Sequence, residues 1–269
     1  MQDSRLLITL LRHPGILRPY GNIVMLSHMR ANTSLLGHIF GSNPEVEGYY
    51  ELHMGYYSWK SLVRQKLLYF SRHAPKNGAR FMFDKILHDD HAINLSLFQH
   101  AKIIFALRAP ERTIPSIISL YRRVEPEHEF ATAEGATNYY VGRLASLQQL
   151  AQKNPVDFLY MDADALRSNP EQTLSTLTDF VGLRYPLRED YAVQPLTGAE
   201  KVGDSSDSIG QGKILKTQRG YPEINLPEAL LTQAKQTFQT ARNNLIQSQH
   251  CRHHILLSTE MWDGRAHGT

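Results

Sequence analysis

The chain has one cysteine, Cys251, among its 269 residues, which excludes an internal disulfide framework and any multi-cysteine metal site. It also lacks a long apolar run. Leu6 to Leu11, broken by Thr9, is the longest early one; it is too short for a secretory core, and no small-residue cleavage site follows it. Nothing approaches the ~20 apolar residues of a membrane span. Charge of one sign is not in excess either. The balance of 29 Lys and Arg against 26 Asp and Glu leaves a net charge of +3. That is too mild for general nucleic-acid binding, but it permits an anionic small ligand in a local basic pocket. The Walker pattern G-x4-G-K-[ST] is missing, since Gly212-Lys213 is followed by Ile214, and this disfavours ATP hydrolysis and ordinary kinase chemistry. There is no internal repeat. With 42% hydrophobic and 20% charged residues, the composition is that of an ordinary globular protein. The expectation is a cytoplasmic protein with a single domain over residues 1–269.

What is present alternates between strand and helix patterns. Asn22–Ser27, Arg80–Ile86, Lys102–Leu107 and Asp157–Met161 read as strands, and the third is apolar throughout, as a strand buried on both faces should be. Helical spacing follows at Leu35, Leu36, Ile39 and Phe40, and again over 111–123, 132–153 and 227–248. Pro170 opens a further helix and Gly182 stops it. Residues 197–220, rich in Gly, Ser, Asp and Lys, read as a mobile loop. This alternation implies an α/β fold: a three-layer sandwich with a central parallel sheet.

In such sheets ligands sit beyond the C-terminal strand ends. The first such loop is Ser27-His-Met-Arg30-Ala-Asn-Thr33-Ser34. It leads into a helix N-terminus, where free backbone N–H groups and the dipole favour an anion. Arg30 adds a cation and Thr33 and Ser34 add hydroxyls, which is chemistry suited to phosphate or sulfate. Taken alone, the loop is equally a plain strand–helix junction.

Three further segments resemble the sulfotransferase family. Met29-Arg30-Ala31-Asn32-Thr33-Ser34-Leu35 is similar to the family's P-R-S-G-T-T-L, with Ser42-Asn-Pro44-Glu-Val46 resembling the A-S-H-P-E-V that follows. Arg108-Ala-Pro110-Glu-Arg-Thr-Ile-Pro-Ser116 is similar to R-D-P-x-D-x-x-x-S. Asp164-Ala-Leu166 through Asn169-Pro170 to Leu174, then Phe180-Val-Gly182-Leu183, resembles E-D-L-x-x-D-P-x-x-T-L…F-L-G-L, a structural feature of the family. The ordered resemblance spans residues 22–183.

The resemblance implies a fold like that of P-loop nucleotide-binding proteins. It also implies the sulfuryl donor PAPS (3′-phosphoadenosine 5′-phosphosulfate), with 3′,5′-ADP as product and no metal required. Arg30, Ala31, Asn32, Thr33 and Ser34 would contact the 5′-phosphosulfate, and Arg108 and Ser116 the 3′-phosphate. Lys85, at the end of the second strand, would stand beside the bridging oxygen. Lys213 falls where the family places a basic loop. Three positions depart from the pattern. Ala31 removes a hydroxyl, Asn32 replaces a glycine while tolerating unusual backbone angles, and Ala109 replaces an acidic or amide residue. A nucleotide-binding module without turnover, or an unusual kinase, are the alternatives.

A general base must take the acceptor's proton. Glu51 lies 21 residues beyond Arg30, an offset that resembles the family's tyrosylprotein branch; by composition alone it is equally a surface carboxylate. His88, three residues after Lys85, is the second candidate and His53 the third. His88-Asp89-Asp90-His91 reads better as a helix start, capped by Asp89 or Asp90, than as a metal site. His250-Cys251-Arg-His253-His254 reads as incidental. Around Glu51 stand Tyr49, Tyr50, Tyr56, Tyr57 and Trp59, rings that suit core packing or a stacking wall for an acceptor. Residues 52–83 carry Lys60, Arg64, Lys66, Arg72, Lys76 and Arg80 with no Asp or Glu between them, a solvated basic face or an attractor of an anionic acceptor or a membrane surface. The expected partner is a small-molecule or glycan hydroxyl or amine, not nucleic acid.

Overall fold

The computed structural model describes residues 18–153, 155–198, 209–217, 220, 221 and 223–257, with Ile8 and Leu11 besides. Six strands form one sheet: β1 (Gly21–Ser27), β2 (Val46–Glu47), β3 (Phe81–Ile86), β4 (Lys102–Leu107), β5 (Phe158–Asp162) and β6 (Cys251–Ile255). Their order is β2-β3-β1-β4-β5-β6, and every pairing is parallel. Around them pack α1 (Thr33–Ser42), α2 (Trp59–Phe70), α3 (Pro110–Val124), α4 (Ala133–Lys153), the short α5 (Ala165–Ser168), α6 (Pro170–Val181) and α7 (Glu228–Ile246). The expected α/β sandwich with a central parallel sheet is the observed architecture.

Side-chain alternation along the strands assigns the two helical layers. Val24 and Leu26 of β1 face a core shared with Ile114 and Ile117 of α3, Tyr140 and Leu144 of α4, and Phe238 of α7. Ile23 and Met25 face the opposite core, with Leu36 and Phe40 of α1 and Leu174 and Leu177 of α6. Phe105 of β4 is fully buried and packs edge-on against Phe158, with ring centroids 4.8 Å apart. Among the described residues, no helix is long and apolar enough to cross a membrane.

The chain leaves β1 towards β2 and later crosses from β3 over β1 to β4. The strand order therefore switches direction at β1, and the crevice at its C-terminal end is where open parallel sheets take ligands. The loop 28–32 lies there. Close backbone approach guides the next segment. At Gly37 of α1 a Cβ would meet the Tyr49 carbonyl oxygen at 2.2 Å, and at Gly48, with φ +92°, it would meet that of Phe83 at 2.2 Å. Only glycine lets α1 and β3 grip the chain so tightly just before Glu51.

The predicted strands and helices recur with ends shifted by one or two residues. Four elements went unpredicted: β2, α2, the short α5 and β6. The expected helix start at Asp89 or Asp90 is instead a turn over 88–91. Asp89 is drawn into an ion pair with Arg143 and accepts from Ser146 Oγ at 3.0 Å, so its carboxylate is not available to cap, and the next helical turn is the 3-10 segment Leu95–Phe98, capped by Asn94. Of the expected mobile loop, residues 199–208, 218 and 219 lie outside the described residues, and Ile209–Gln211 forms a 3-10 turn.

Candidate active site

The end of β1 is built around a buried histidine. The Arg108 backbone N–H donates to His28 Nε2 at 3.0 Å, so the ring proton sits on Nδ1 and is donated to the Met29 carbonyl at 2.9 Å. Burial holds the His28 pKa down at about 3, with the Arg108 and Arg143 charges acting in the same direction. The neutral ring thus joins the two loops expected to bind the donor. Ser27 Oγ adds a bond to the Ala106 carbonyl at 2.7 Å.

Beyond His28 the loop takes unusual backbone angles. Arg30 has φ +63° and Asn32 φ +56°, ψ +18°. The glycine expected by resemblance is thus replaced by a residue that reaches the left-handed region at modest cost. The Asn32 side chain holds that shape. It donates to the Ala163 carbonyl at 3.0 Å and to Asp164 Oδ1 at 3.1 Å, and accepts from Arg167 Nε at 3.1 Å. Arg167 also donates to the Leu215 carbonyl at 2.6 Å, tying the 209–217 segment to the first loop.

Arg30 turns towards α3. Its Nε donates to Ser116 Oγ at 2.8 Å, and Ser116 Oγ donates to Tyr221 OH at 3.1 Å. Arg108, buried, donates from Nε to Asp164 Oδ1 at 2.8 Å and from Nη1 to the Arg30 carbonyl at 2.9 Å. Burial raises the Tyr221 phenol pKa, but the Ser116 bond and the Arg30 and Arg108 charges outweigh it and leave it below the ordinary value. Arg30, Arg108, Ser116 and Tyr221 therefore form one cationic, hydroxyl-bearing cluster. Ala31 and Thr33 are buried and Ser34 is half-buried. Lys85, buried at the end of β3, donates from Nζ to Ser34 Oγ at 3.1 Å. Lys213 is exposed; its backbone bridges Asp190 and its carbonyl accepts from Tyr191 OH at 3.4 Å.

Glu51 lies on the other side of β3. It is buried, with Oε1 accepting from the Leu87 N–H at 3.2 Å. His53 Nδ1 is 4.0 Å from Glu51 Oε2. His88 is half-buried beside Tyr139. Burial lowers its pKa, Glu51 pulls it back up, and the Arg143, His53 and His91 charges push it further down. These groups all neighbour one another.

Asp84 fastens the Glu51 segment. Oδ1 accepts from the Leu52 and Lys85 N–H groups at 3.2 and 2.8 Å, and Oδ2 from Tyr56 OH. Burial pushes the Asp84 pKa up to about 7, Tyr56 opposes this, and Glu51 adds to it. Tyr139 links both sides: its OH donates to the Leu87 carbonyl at 2.9 Å and accepts from the Met29 N–H at 2.9 Å. Arg143 does the same deeper down, donating to the Ser27 and Ile86 carbonyls at 2.9 and 2.7 Å.

The aromatic and basic residues divide. Tyr49, Tyr50 and Tyr56 are buried core, whereas Tyr57 and Trp59 are exposed at 64% and 66%. Lys76 Nζ donates to the Gly41, Asn43 and Val46 carbonyls, Arg80 pairs with Glu45, and Lys66 donates to the Arg18 carbonyl. Half of the basic stretch is thus structural; Lys60, Arg64 and Arg72 are exposed.

The sequence reading missed His28, Tyr139, Arg143 and Tyr221. Nothing local marks them, because each acts across more than 50 residues of chain. Asp164 and Arg167 stood inside a segment read as structural; their partners show that the segment also holds the loops of Asn32 and Arg108.

The fold is an α/β sandwich on a parallel sheet, with cations and hydroxyls at its switch point. Residues 56–186 match the family model described as sulfotransferase family. That match takes in Lys85, His88, Arg108, Ser116 and Asp164, and the resemblance drawn from the motifs stands. The sulfotransferase domain from the curacin biosynthetic pathway is similar at 15% identity, covering 91% of this chain and 96% of that one, with a TM-score of 0.44. Mouse sulfotransferase SULT7A1 complexed with PAP is similar at 15% identity, covering 87% of this chain and 80% of that one, with a TM-score of 0.42. No curated protein matches the chain.

Proposed function

We propose that the protein is an enzyme that transfers a sulfuryl group from PAPS to a hydroxyl or amine of a small-molecule or glycan acceptor. The observation that carries this reading is the convergence of Arg30, Arg108, Ser116 and Tyr221, drawn from three separate stretches of chain, on one rim of the sheet. Two guanidinium groups and two hydroxyls suit a phosphate monoester, and the family match over Arg108 and Ser116 supports the 3′-phosphate as that group. The donor supplies the sulfuryl group and departs as 3′,5′-ADP.

The remaining roles fall to the chain's own residues. Glu51 takes the proton from the acceptor's oxygen or nitrogen as that atom bonds to sulfur. Lys85, held by Ser34, places positive charge where the leaving phosphate develops negative charge. The N-terminus of α1 adds backbone N–H groups from Thr33 and Ser34. Asp84 and Tyr139 keep the Glu51 segment and the first loop in register, which limits the motion between base and donor. Lys213 is assigned to the basic loop over the nucleotide, and the described chain is taken as one catalytic domain.

The test is transfer of labelled sulfate from PAPS to a panel of phenols, sugars and amines, with wild type and Glu51→Gln side by side. Product with wild type and its loss in Glu51→Gln are expected. No product with any acceptor class, in a protein that binds 3′,5′-ADP, would replace this reading with a binding module.

A further inference from the structure

Glu51 has two imidazole neighbours. The ligand-capable atoms of Glu51, His53 and His91 all lie within 4.8 Å of one another. The three residues come from two loops, and a short parallel bridge stitches those loops together. The Tyr56 N–H donates to the Ala92 carbonyl at 2.9 Å and the Asn94 N–H to the Tyr56 carbonyl at 2.8 Å. The carboxylate is pre-oriented, since Oε1 is held by the Leu87 N–H and Oε2 is the oxygen near His53. His53 has φ +50°, a conformation a non-glycine residue keeps where its surroundings require it, and its backbone there directs the ring back towards Glu51. The rings of His53 and His91 lie 5.7 Å apart, edge to face.

We propose that Glu51, His53 and His91 bind a divalent transition metal ion of the zinc type. Two imidazoles and one carboxylate are a three-protein-ligand set that leaves a fourth tetrahedral position open. Tetrahedral ligands at ~2.0–2.1 Å from the metal stand about 3.3 Å apart. The trio must therefore draw in by roughly 1–1.5 Å, and His53, with a side chain 47% exposed, has the freedom to do so. The Leu87 N–H is the outer-shell partner that fixes the carboxylate. A bound metal and the acceptor's proton compete for one carboxylate, so metal occupancy shuts off the base. That consequence rests on the reading of Glu51 as base; the binding itself does not.

The experiment titrates the whole chain with Zn2+ by calorimetry and with Co2+ by visible absorption. No acceptor or nucleotide is present, so the outcome is independent of the transfer reading. Wild type is expected to bind one Zn2+ saturably and to give the intense visible bands of four-coordinate Co2+. His53→Ala and His91→Ala should each weaken binding roughly tenfold or more, while the double variant His253→Ala/His254→Ala, on the exposed edge strand β6, should leave it unchanged. Saturable binding that persists in His53→Ala and His91→Ala but disappears in the β6 variant would overturn the proposal, as would no saturable binding to wild type. Because His53 is exposed and His91 half-buried, thermal unfolding of both variants should match wild type.

Discussion

The two sides of the β3 end are built on opposite plans. On the side where we place the donor, Arg30, Arg108, Ser116, Asp164 and Tyr221 form a largely buried network in which each group is fixed by another. On the side where we place the acceptor, Glu51 is buried, but His53 is exposed and His88 and His91 are half-buried. Preorganised charge suits a ligand whose phosphates never change, whereas a proton acceptor must be reachable by a partner that comes and goes. The two sides also respond oppositely to pH. His28, which joins the donor loops, is neutral by burial; Asp84, which anchors the acceptor segment, is a carboxyl pushed up to about 7.

The largest expected effect separates the sides outright. Glu51→Gln should lower turnover by about 10²–10⁴-fold and leave 3′,5′-ADP affinity at the wild-type value, measured by kcat and by calorimetry. Full activity in that variant would move the base to His88. On the donor side, Arg108→Ala should weaken 3′,5′-ADP by roughly 2–3 kcal/mol while barely affecting AMP. It also removes the buried ion-pair partner of Asp164, which keeps its bond from Asn32 and its approach to Arg112, and should destabilise the fold by about 3 kcal/mol. Adding Asp164→Asn should restore much of the stability but none of the selectivity; recovery of both would reduce Arg108 to a structural role.

The pH responses come next. An unfolded histidine takes up a proton near 6.5, but His28 in the native state does so only near 3. Between those values the unfolded chain binds more protons, so stability should fall, by on the order of a few kcal/mol, as pH drops from 6.5 towards 4. Urea midpoints across that range measure it, and an NMR titration of the His28 ring near 6.5 would contradict it. Asp84 has the reverse sign. Between about 3.8 and 7 its native carboxyl holds a proton that the unfolded chain has lost, so its contribution to stability falls as pH rises through that window. Asp84→Asn should flatten that slope, and an unchanged slope would place the titration elsewhere. The smallest effect is Tyr139→Phe, which removes the hydroxyl joining Met29 to Leu87. It should cost about 1 kcal/mol of stability and lower turnover more than nucleotide affinity; equal losses in both would limit Tyr139 to packing.

The legibility of the fold follows burial. β1, β3, β4 and β5 are interior strands, each with an apolar run of three or more residues, and all four could be read from sequence. The unread strands are the sheet's edges. β2 has two residues, and β6 is Cys-Arg-His-His-Ile, with Arg252, His253 and His254 exposed. An edge strand packs too little apolar surface to show a pattern. α2 was hidden for a related reason: Lys60, Arg64 and Lys66 drew attention as a charge run, while its buried face is the less conspicuous Ser61, Gln65, Tyr69 and Phe70. In the site, residues carried by contiguous motifs were legible and those acting at a distance were not. Arg30 and Ser116 were named separately for different phosphates, and their direct bond across 86 residues belongs to topology rather than to either motif.

The most direct test of the donor cradle is a calorimetric titration of wild type with 3′,5′-ADP, with AMP, ADP and ATP as controls. Micromolar binding of 3′,5′-ADP, about −8 kcal/mol, with AMP at least tenfold weaker, is the predicted result. Equal affinity for 3′,5′-ADP and AMP, or a preference for ATP, would contradict the assignment of Arg108 and Ser116 to a 3′-phosphate and with it the sulfuryl-transfer account.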